Sequence, residues 1–233
     1  DNSQSLIITS ATDCYIGYDR TNGTEAYIYD FRIYNKALKN KKIRRIYTKT
    51  GLQGSGGLNK TNLKAHWKLD EGTGTSASDS SGNSYTGTLT NGPVWSATGG
   101  PFGGPCVDFD GSNDYITNND LIVQDSSFFG KTAWTISFWI NSNTVVGTTD
   151  SRPINFGNHT GNFNWGHSSS TYQKSWNVYK GTWYAAKLTS TLNINTWYHM
   201  VGTYDSSIGL KAYLNGVLET HNTSYTGLLY APP

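Results

Sequence analysis

The chain has 233 residues, of which 14% are aromatic, only 15% are charged and 26 are glycine, with a net charge of +2. That balance suits short strands and tight turns better than helices, and the net charge is too small to predict a polyanion partner by itself. No apolar run nears the roughly 20 residues of a membrane-spanning helix and no basic-then-apolar leader opens the chain, so a soluble domain is expected.

Leu6–Ile8 and Cys14–Tyr18 are short β-prone runs, and Asn22-Gly23 marks a turn. Tyr27–Tyr34 alternates with period two, which predicts a strand with Tyr27, Tyr29, Phe31 and Ile33 on one face and Asp30 and Arg32 on the other. One short helix is expected near residues 37–48, with Leu38, Ile43, Ile46 and Tyr47 inward. Arg32, Lys36, Lys39, Lys41, Lys42, Arg44, Arg45 and Lys49 crowd the same segment. They read as a solvated helix face, because a nucleic-acid surface would interleave stacking aromatics with the cations. Residues 51–58 are a Gly/Ser-rich joint.

Beyond the joint, Leu63–Leu69 is a strand carrying Trp67, and residues 70–85 form a long polar loop that is expected to contribute nothing to a core. Cys106–Asp110 and Tyr115–Ile116 flank the Gly111-Ser112-Asn113 turn. Trp134–Ile140 is the clearest strand, with Trp134, Ile136, Phe138 and Ile140 on its buried side. Tyr198–Tyr204, Leu210–Leu214 and Val217-Leu218 follow, the last two joined by Asn215-Gly216, the pair a two-residue hairpin favours. Many short strands and almost no helix indicate an all-β chain folded as an antiparallel two-sheet β-sandwich of jelly-roll type.

Several blocks carry a resemblance. Trp67-Lys68-Leu69-Asp70-Glu71-Gly72 with Asp79-Ser80-Ser81-Gly82-Asn83, Val107–Tyr115, Trp134–Ile140, and Asn195–His199 running on to Tyr213–Gly216 resemble successive blocks of a laminin-G-like jelly roll of the concanavalin A-like lectin/glucanase superfamily. The family closes with an Ile-Gly strand, an Asp-containing strand and a short helix. Here Ile16-Gly17 and Ile28–Leu38 match those blocks but stand at the front, and no block occurs twice. Residues 1–50 therefore supply what residues 59–233 lack. The economical reading is one domain over 1–233, circularly permuted, closed through residues 51–58, with its present ends an opened loop. Gly54-Ser55-Gly56-Gly57 has the composition of an engineered closure.

Catalysis is not expected. The three glutamates, Glu25, Glu71 and Glu219, form no closely spaced pair of the kind glycoside hydrolysis uses, and no G-x-S-x-G supports a serine nucleophile. Cys14 and Cys106 lack C-x-x-C spacing and are either one disulfide or two buried thiols. The resemblance implies a structural Ca²⁺ held by Asp30, Asp79 and Asn83, against the alternative of a turn closed by Asx hydrogen bonds. Sugars are gripped by aromatic faces together with amides and hydroxyls. Asn158, His159, Trp165, His167, Tyr172, Trp176, Tyr179 and Trp183 are the candidate ligand-binding residues, while Trp134, Trp139, Trp197 and His199 are assigned to the interior. The expected function is non-catalytic, lectin-like binding of a glycan or polysaccharide by an extracellular or cell-surface monomer. The alternative is a protein-interaction or adhesion module. Four N-x-S/T sequons, at Asn22, Asn59, Asn158 and Asn222, weakly favour secretion.

Overall fold

The computed structural model describes residues 14–18, 23–50, 60–118, 120–123, 132–143, 152–156, 163–167, 174–179 and 182–227. Its elements in chain order are β1 (Cys14–Ile16), β2 (Glu25–Tyr34), α1 (Asn40–Thr50), β3 (Leu63–Trp67), β4 (Ser76–Ala77), β5 (Gly87–Thr90), β6 (Val94–Ser96), β7 (Cys106–Asp110) and β8 (Tyr115–Asn118). Then come α2 (Asp120–Val123), β9 (Ala133–Ser142), β10 (Ile154–Phe156), β11 (Phe163–His167), β12 (Lys174–Tyr179), β13 (Trp183–Lys187), β14 (Trp197–Asp205), β15 (Gly209–Leu214) and β16 (Val217–Asn222).

Two sheets form the sandwich, and every strand pair in them is antiparallel. Sheet I runs β13-β12-β11-β10-β1-β8-β5-β4, and sheet II runs β16-β15-β14-β9-β2-β7-β6, with β3 also on β2. β1 and β2, which precede the glycine joint, are central strands. β1 lies between β10 and β8, and β2 lies between β9 on one side and β7 and β3 on the other. The strand expected at Tyr27–Tyr34 thus pairs inside the same sandwich as the later strands. The joint itself and the chain ends lie outside the described residues.

β2 departs from simple alternation. Between Tyr29↔Trp139 and Arg32↔Ser137 it uses one more residue than β9, and Asp30 takes the left-handed conformation at φ 53°. This is a β-bulge, and the extra residue reverses which side chains face inward. Ala26 and Ile28 enter the core with Phe31 and Ile33, whereas Tyr27 and Tyr29 are only half-buried. The expected face of Tyr27, Tyr29, Phe31 and Ile33 is corrected accordingly: the first two stand on the outer side.

The core between the sheets is aromatic. Phe31 stacks on Trp67 at 5.3 Å, Trp134 meets Trp176 edge-on at 4.8 Å, and Trp165 lies 5.6 Å from Trp176 and 6.0 Å from Phe138. Gly202 on β14 is what admits the Trp176 ring, since a Cβ there would lie 2.3 Å from it. The 70–85 loop contributes more than expected: it contains β4, and Ala77 is fully buried in the core. The Asn215-Gly216 turn forms as its sequence dictates, with φ of 49° and 78°.

α1 combines five Lys and Arg with residues of weaker helix propensity, contains no Gly or Pro, and lies on the outer side of sheet II. Ile43 packs with Val201 and Tyr213, Ile46 with Tyr34 and Leu63, and Leu38 touches both groups. Tyr47 stacks on Trp139 at 5.5 Å. Cys14 and Cys106 are both buried, one in each sheet, and no disulfide joins them, which decides for two thiols.

Candidate functional site

In β11 and β12 alternate side chains face opposite ways, and the tryptophans take the inward positions. Trp165 and Trp176 are fully buried in the core. Neither presents a ring face to solvent, so both are withdrawn as ligand-stacking residues. Asn158, His159 and Tyr172 lie outside the described residues, and for His167 and Tyr179 only the strand positions are described. Trp183, at the start of β13, remains 43% exposed.

The outward positions of the same strands form a polar row that tryptophan-centred reading missed. Asn155 stands opposite Asn164, Asn164 opposite Asn177, and Asn177 opposite Ala185. Because Ile154, Phe156, Trp165, Trp176 and Val178 point into the core, these asparagines point to the other side of sheet I. The Asn177 amide donates to Asn164 Oδ1 at 2.9 Å, and Ser175 Oγ donates to Asn177 Oδ1 at 2.8 Å. Asn155 is 0% exposed, yet neither its Nδ2 nor its Oδ1 has a hydrogen-bond partner among the described residues. Gly166 makes room for its neighbours: a Cβ there would sit 2.9 Å from Asn164 Oδ1 and 3.3 Å from Arg152 Cγ. The signal was legible as Asn-Trp-Gly and Ser-Trp-Asn, where each Trp is flanked by small or amide residues that must face the other way.

The row leads to a concavity. Trp183, Ala185 and Lys187 share the outward face of β13, and Ala185 and Lys187 line a shallow groove of about 440 Å³ between β13 and β16. Its other walls carry Thr189, Thr220, His221, Asn222, Thr223 and Ser224. Asn222 Nδ2 donates to Ala185 O at 2.7 Å, and Thr220 Oγ1 donates to Lys187 O, so the two sheet edges are tied across the groove floor. Glu219 fixes the neighbouring loop, accepting from the N–H and hydroxyl of both Thr189 and Ser190 at 2.6–2.9 Å. Burial alone would raise its pKa, but those hydrogen bonds outweigh it and hold the carboxyl below its ordinary range.

On sheet II the outer face carries a network and an aromatic ridge. Asp30 is buried, and its Oδ1 accepts from Arg32 Nε at 3.1 Å and Nη2 at 2.8 Å, with His66 Nε2 also at 2.8 Å. Burial pushes the Asp30 pKa up, but the Arg32 charge and His66 hydrogen bond overcome it, leaving it below normal. Ser137 Oγ and His199 Nε2 are 2.9 Å apart, and both residues are 0% exposed. Burial drives the His199 pKa down to about 3, so its ring is neutral, as expected for an interior histidine. Outside this network, Tyr27 approaches Trp197 at 6.5 Å, and Phe102 bridges Tyr29 and Trp139 at 6.2 and 5.3 Å. Trp139 is buried, but Trp197 is only half-buried, its Nε1 bonded to Gly99 O at 3.0 Å.

The calcium ligand set does not fit an ion. Asp79 Oδ1 accepts from His66 N at 2.9 Å and Ser81 N at 2.8 Å, while Oδ2 accepts from Ser81 Oγ at 2.7 Å and Tyr85 N at 3.0 Å. Asn83 turns its Nδ2 to the Leu63 and Lys64 carbonyls at 3.0 and 2.9 Å. Asp30 is committed to Arg32 and His66, and His66 stands between Asp30 and Asp79 through its ring and its N–H. A hard cation needs six to eight oxygens with free lone pairs. Both Asp79 oxygens and Asp30 Oδ1 have already been given to donors, which for Asp79 is the Asx-turn alternative, and Asp30 Oδ2 alone makes no such shell. Among the described residues no group of three or more His, Cys, Asp or Glu is placed to hold a metal, and no helix is long and apolar enough to cross a membrane.

A laminin G-type family model, described as the Concanavalin A-like lectin/glucanases superfamily, matches residues 110–232. No curated protein and no solved structure matches the chain. The matched residues hold the amide row, the groove and all of β9–β16, just over half of the sequence, and on that ground the chain belongs to the laminin G-like family of the Concanavalin A-like lectin/glucanases superfamily.

Proposed function

We propose that this domain is a non-catalytic carbohydrate-binding module whose site is the groove between β13 and β16 beside Trp183, with Asn177 next to it across from Ala185. The observation that carries the reading is that groove, an open concavity walled by polar side chains, with the exposed ring of Trp183 on the same face of β13. These suit one ligand class, a sugar gripped by the hydroxyls and amides around the groove and by the tryptophan ring. A shallow, wet site of this kind binds single sugars weakly and longer chains better.

The superfamily includes binding and hydrolytic members. The non-catalytic reading is supported by the burial of the Ser137–His199 pair, which has no access to a substrate. Calcium has no part in the proposal. An extracellular or cell-surface monomer suits glycan recognition, and the order of the family blocks is best read as a circular permutation of one domain. The test is a glycan array followed by titration of any polysaccharide hit. Wild-type binding should fall roughly tenfold with Asn177→Ala and with Trp183→Ala, each loss matching one hydrogen bond or one stacking contact. No hit on the array, or a hit untouched by either change, would sink the proposal.

A second reading, a protein-adhesion module, is favoured by one feature: the ridge of Tyr27, Tyr29, Phe102 and Trp197 on sheet II, with Phe102 49% exposed. Binding that survives Trp183→Ala but is lost with Phe102→Ser would select it.

A further inference from the structure

From Phe31 to Leu69 the sequence contains eleven Lys and Arg and no Asp or Glu, while the remainder holds seven cations against sixteen acids. This segregation is concentrated in space on α1. Lys41, Arg44 and Arg45 are exposed along it, Lys39 is exposed just before it, and its first turn holds no acidic residue. Lys41 and Lys42 therefore stand at the positive end of the helix dipole. Lys41 and Arg45 are four apart, a like-charge pair that weakens a helix. Burial lowers the Lys42 pKa, and the nearby Arg45 and Arg32 charges lower it further. Each placement disfavours the folded helix in isolation, and all are relieved together by an anionic surface.

A second feature adjoins it. The β15–β16 turn is pressed against α1: a Cβ on Gly216 would lie 3.2 Å from Tyr47 Cβ and 3.3 Å from Arg44 Cα. The next two residues, Val217 and Leu218, are 64% and 38% exposed. Leu218 stands opposite Tyr213, whose ring packs beneath α1 with Ile43 and whose hydroxyl donates to Asn40 Oδ1 at 2.8 Å. Exposed aliphatics beside a row of cations are the two signals of interfacial membrane binding, in which charge attracts and apolar side chains insert. A nucleic acid would instead ask for exposed stacking rings among the cations, and the aromatic of α1, Tyr47, is stacked on Trp139.

We propose that α1 and the β15–β16 turn dock this domain peripherally on an anionic lipid bilayer. The test is co-sedimentation of the whole chain with vesicles of phosphatidylcholine alone and of phosphatidylcholine mixed with phosphatidylglycerol. Binding is expected only with phosphatidylglycerol present and should weaken as salt rises. Lys41→Gln and Arg45→Gln should each reduce it roughly fivefold, from about 1 kcal/mol per cation at an anionic surface, and Leu218→Ser should reduce it severalfold more. Both cations are exposed and placed where they disfavour the helix, so the variants should have a thermal midpoint equal to or slightly above that of the wild type. Absence of sedimentation overturns the proposal, as does sedimentation indifferent to the two charge changes. Binding to dextran sulfate or duplex DNA with the same charge dependence, but not to vesicles, assigns the face to a soluble polyanion and overturns it as well.

Discussion

On the α1 side of sheet II, Asp30, Arg32, His66, Ser137 and His199 lie buried or nearly so, and each makes at least one side-chain hydrogen bond to another. On the outer side of sheet I, Asn155 is equally buried, yet its amide bonds to nothing among the described residues. Both faces belong to one sandwich, so burial of polar groups by itself says little about function. The Asp30–Arg32–His66 contacts answer a need of the fold, since an unpaired buried charge is destabilising by several kcal/mol, although Asp30 Oδ2 and His199 Nδ1, like the Asn155 amide, meet no partner among the described residues. Asn155 carries no charge to neutralise, so its missing partners are a cost to the fold, and the binding reading rests instead on the open groove beside Trp183.

The largest effect separates inner from outer positions on a single strand. Trp176 and Asn177 are adjacent on β12 but face opposite ways. Trp176→Ala should destabilise the domain by about 3–5 kcal/mol, the usual loss for a large buried aromatic, whereas Asn177→Ala should leave the unfolding free energy in urea within about 1 kcal/mol of wild type and weaken glycan binding. Equal losses of stability from the two changes would dissolve the distinction.

That contrast also shows what could be read beforehand. Period-two alternation and the Asn215-Gly216 turn gave the two-sheet architecture, because strand patterning reports burial directly. It failed at Tyr27 and Tyr29, where a bulge at Asp30 reversed the face. One extra residue leaves no mark in composition, so alternation counted through it inverts. Trp165 and Trp176 are ambiguous by residue type, because large aromatics serve both cores and sugar sites. Their neighbours Asn164, Ser175 and Asn177 carried the deciding information. Asp79 and Asn83 have the residue types of a cation loop and of an Asx turn alike, and only the direction of the Asn83 amide towards the Leu63 and Lys64 carbonyls distinguishes them.

Breaking the Asp30–Arg32–His66 contacts is the next largest effect. Asp30→Asn keeps the side-chain shape and tolerates the left-handed backbone, but it leaves Arg32 without its counter-charge. A loss of about 3 kcal/mol is expected from chemical unfolding at neutral pH. The Asp30 pKa is held below its ordinary value when folded, so its contribution is present at neutral pH and disappears as pH falls through that lowered value. The variant should accordingly lack that last, most acidic part of the wild-type decline.

His199 acts over a higher window. Its folded pKa is about 3 against 6.5 for a free imidazole, so below pH 6.5 the unfolded chain takes up a proton that the folded one refuses. Stability should therefore drop as pH falls, by about 1.4 kcal/mol per unit, most cleanly between pH 6 and 5, where few carboxylates titrate. His199→Gln should flatten that slope. A slope unchanged in the variant would mean that His199 is protonated in the fold, and that the cluster is less dry than its burial indicates.

The smallest change in stability has the opposite sign and bears hardest on the comparison. Asn155→Leu replaces an amide by an apolar side chain of similar size on a strand whose neighbours are otherwise unaltered. Removing a buried group that has lost its water and gained no partner should be neutral or stabilising, by about 1 kcal/mol, where the equivalent change at Asp30 is strongly destabilising. Glycan binding should be unchanged in the same variant, because Asn155 is buried and does not line the groove. A thermal midpoint that rises with affinity intact would mark the Asn155 amide as an uncompensated cost to the fold. A midpoint that drops as it does for Asp30→Asn would instead make Asn155 part of the fold's own hydrogen bonding, and the two faces would then differ in accessibility but not in kind.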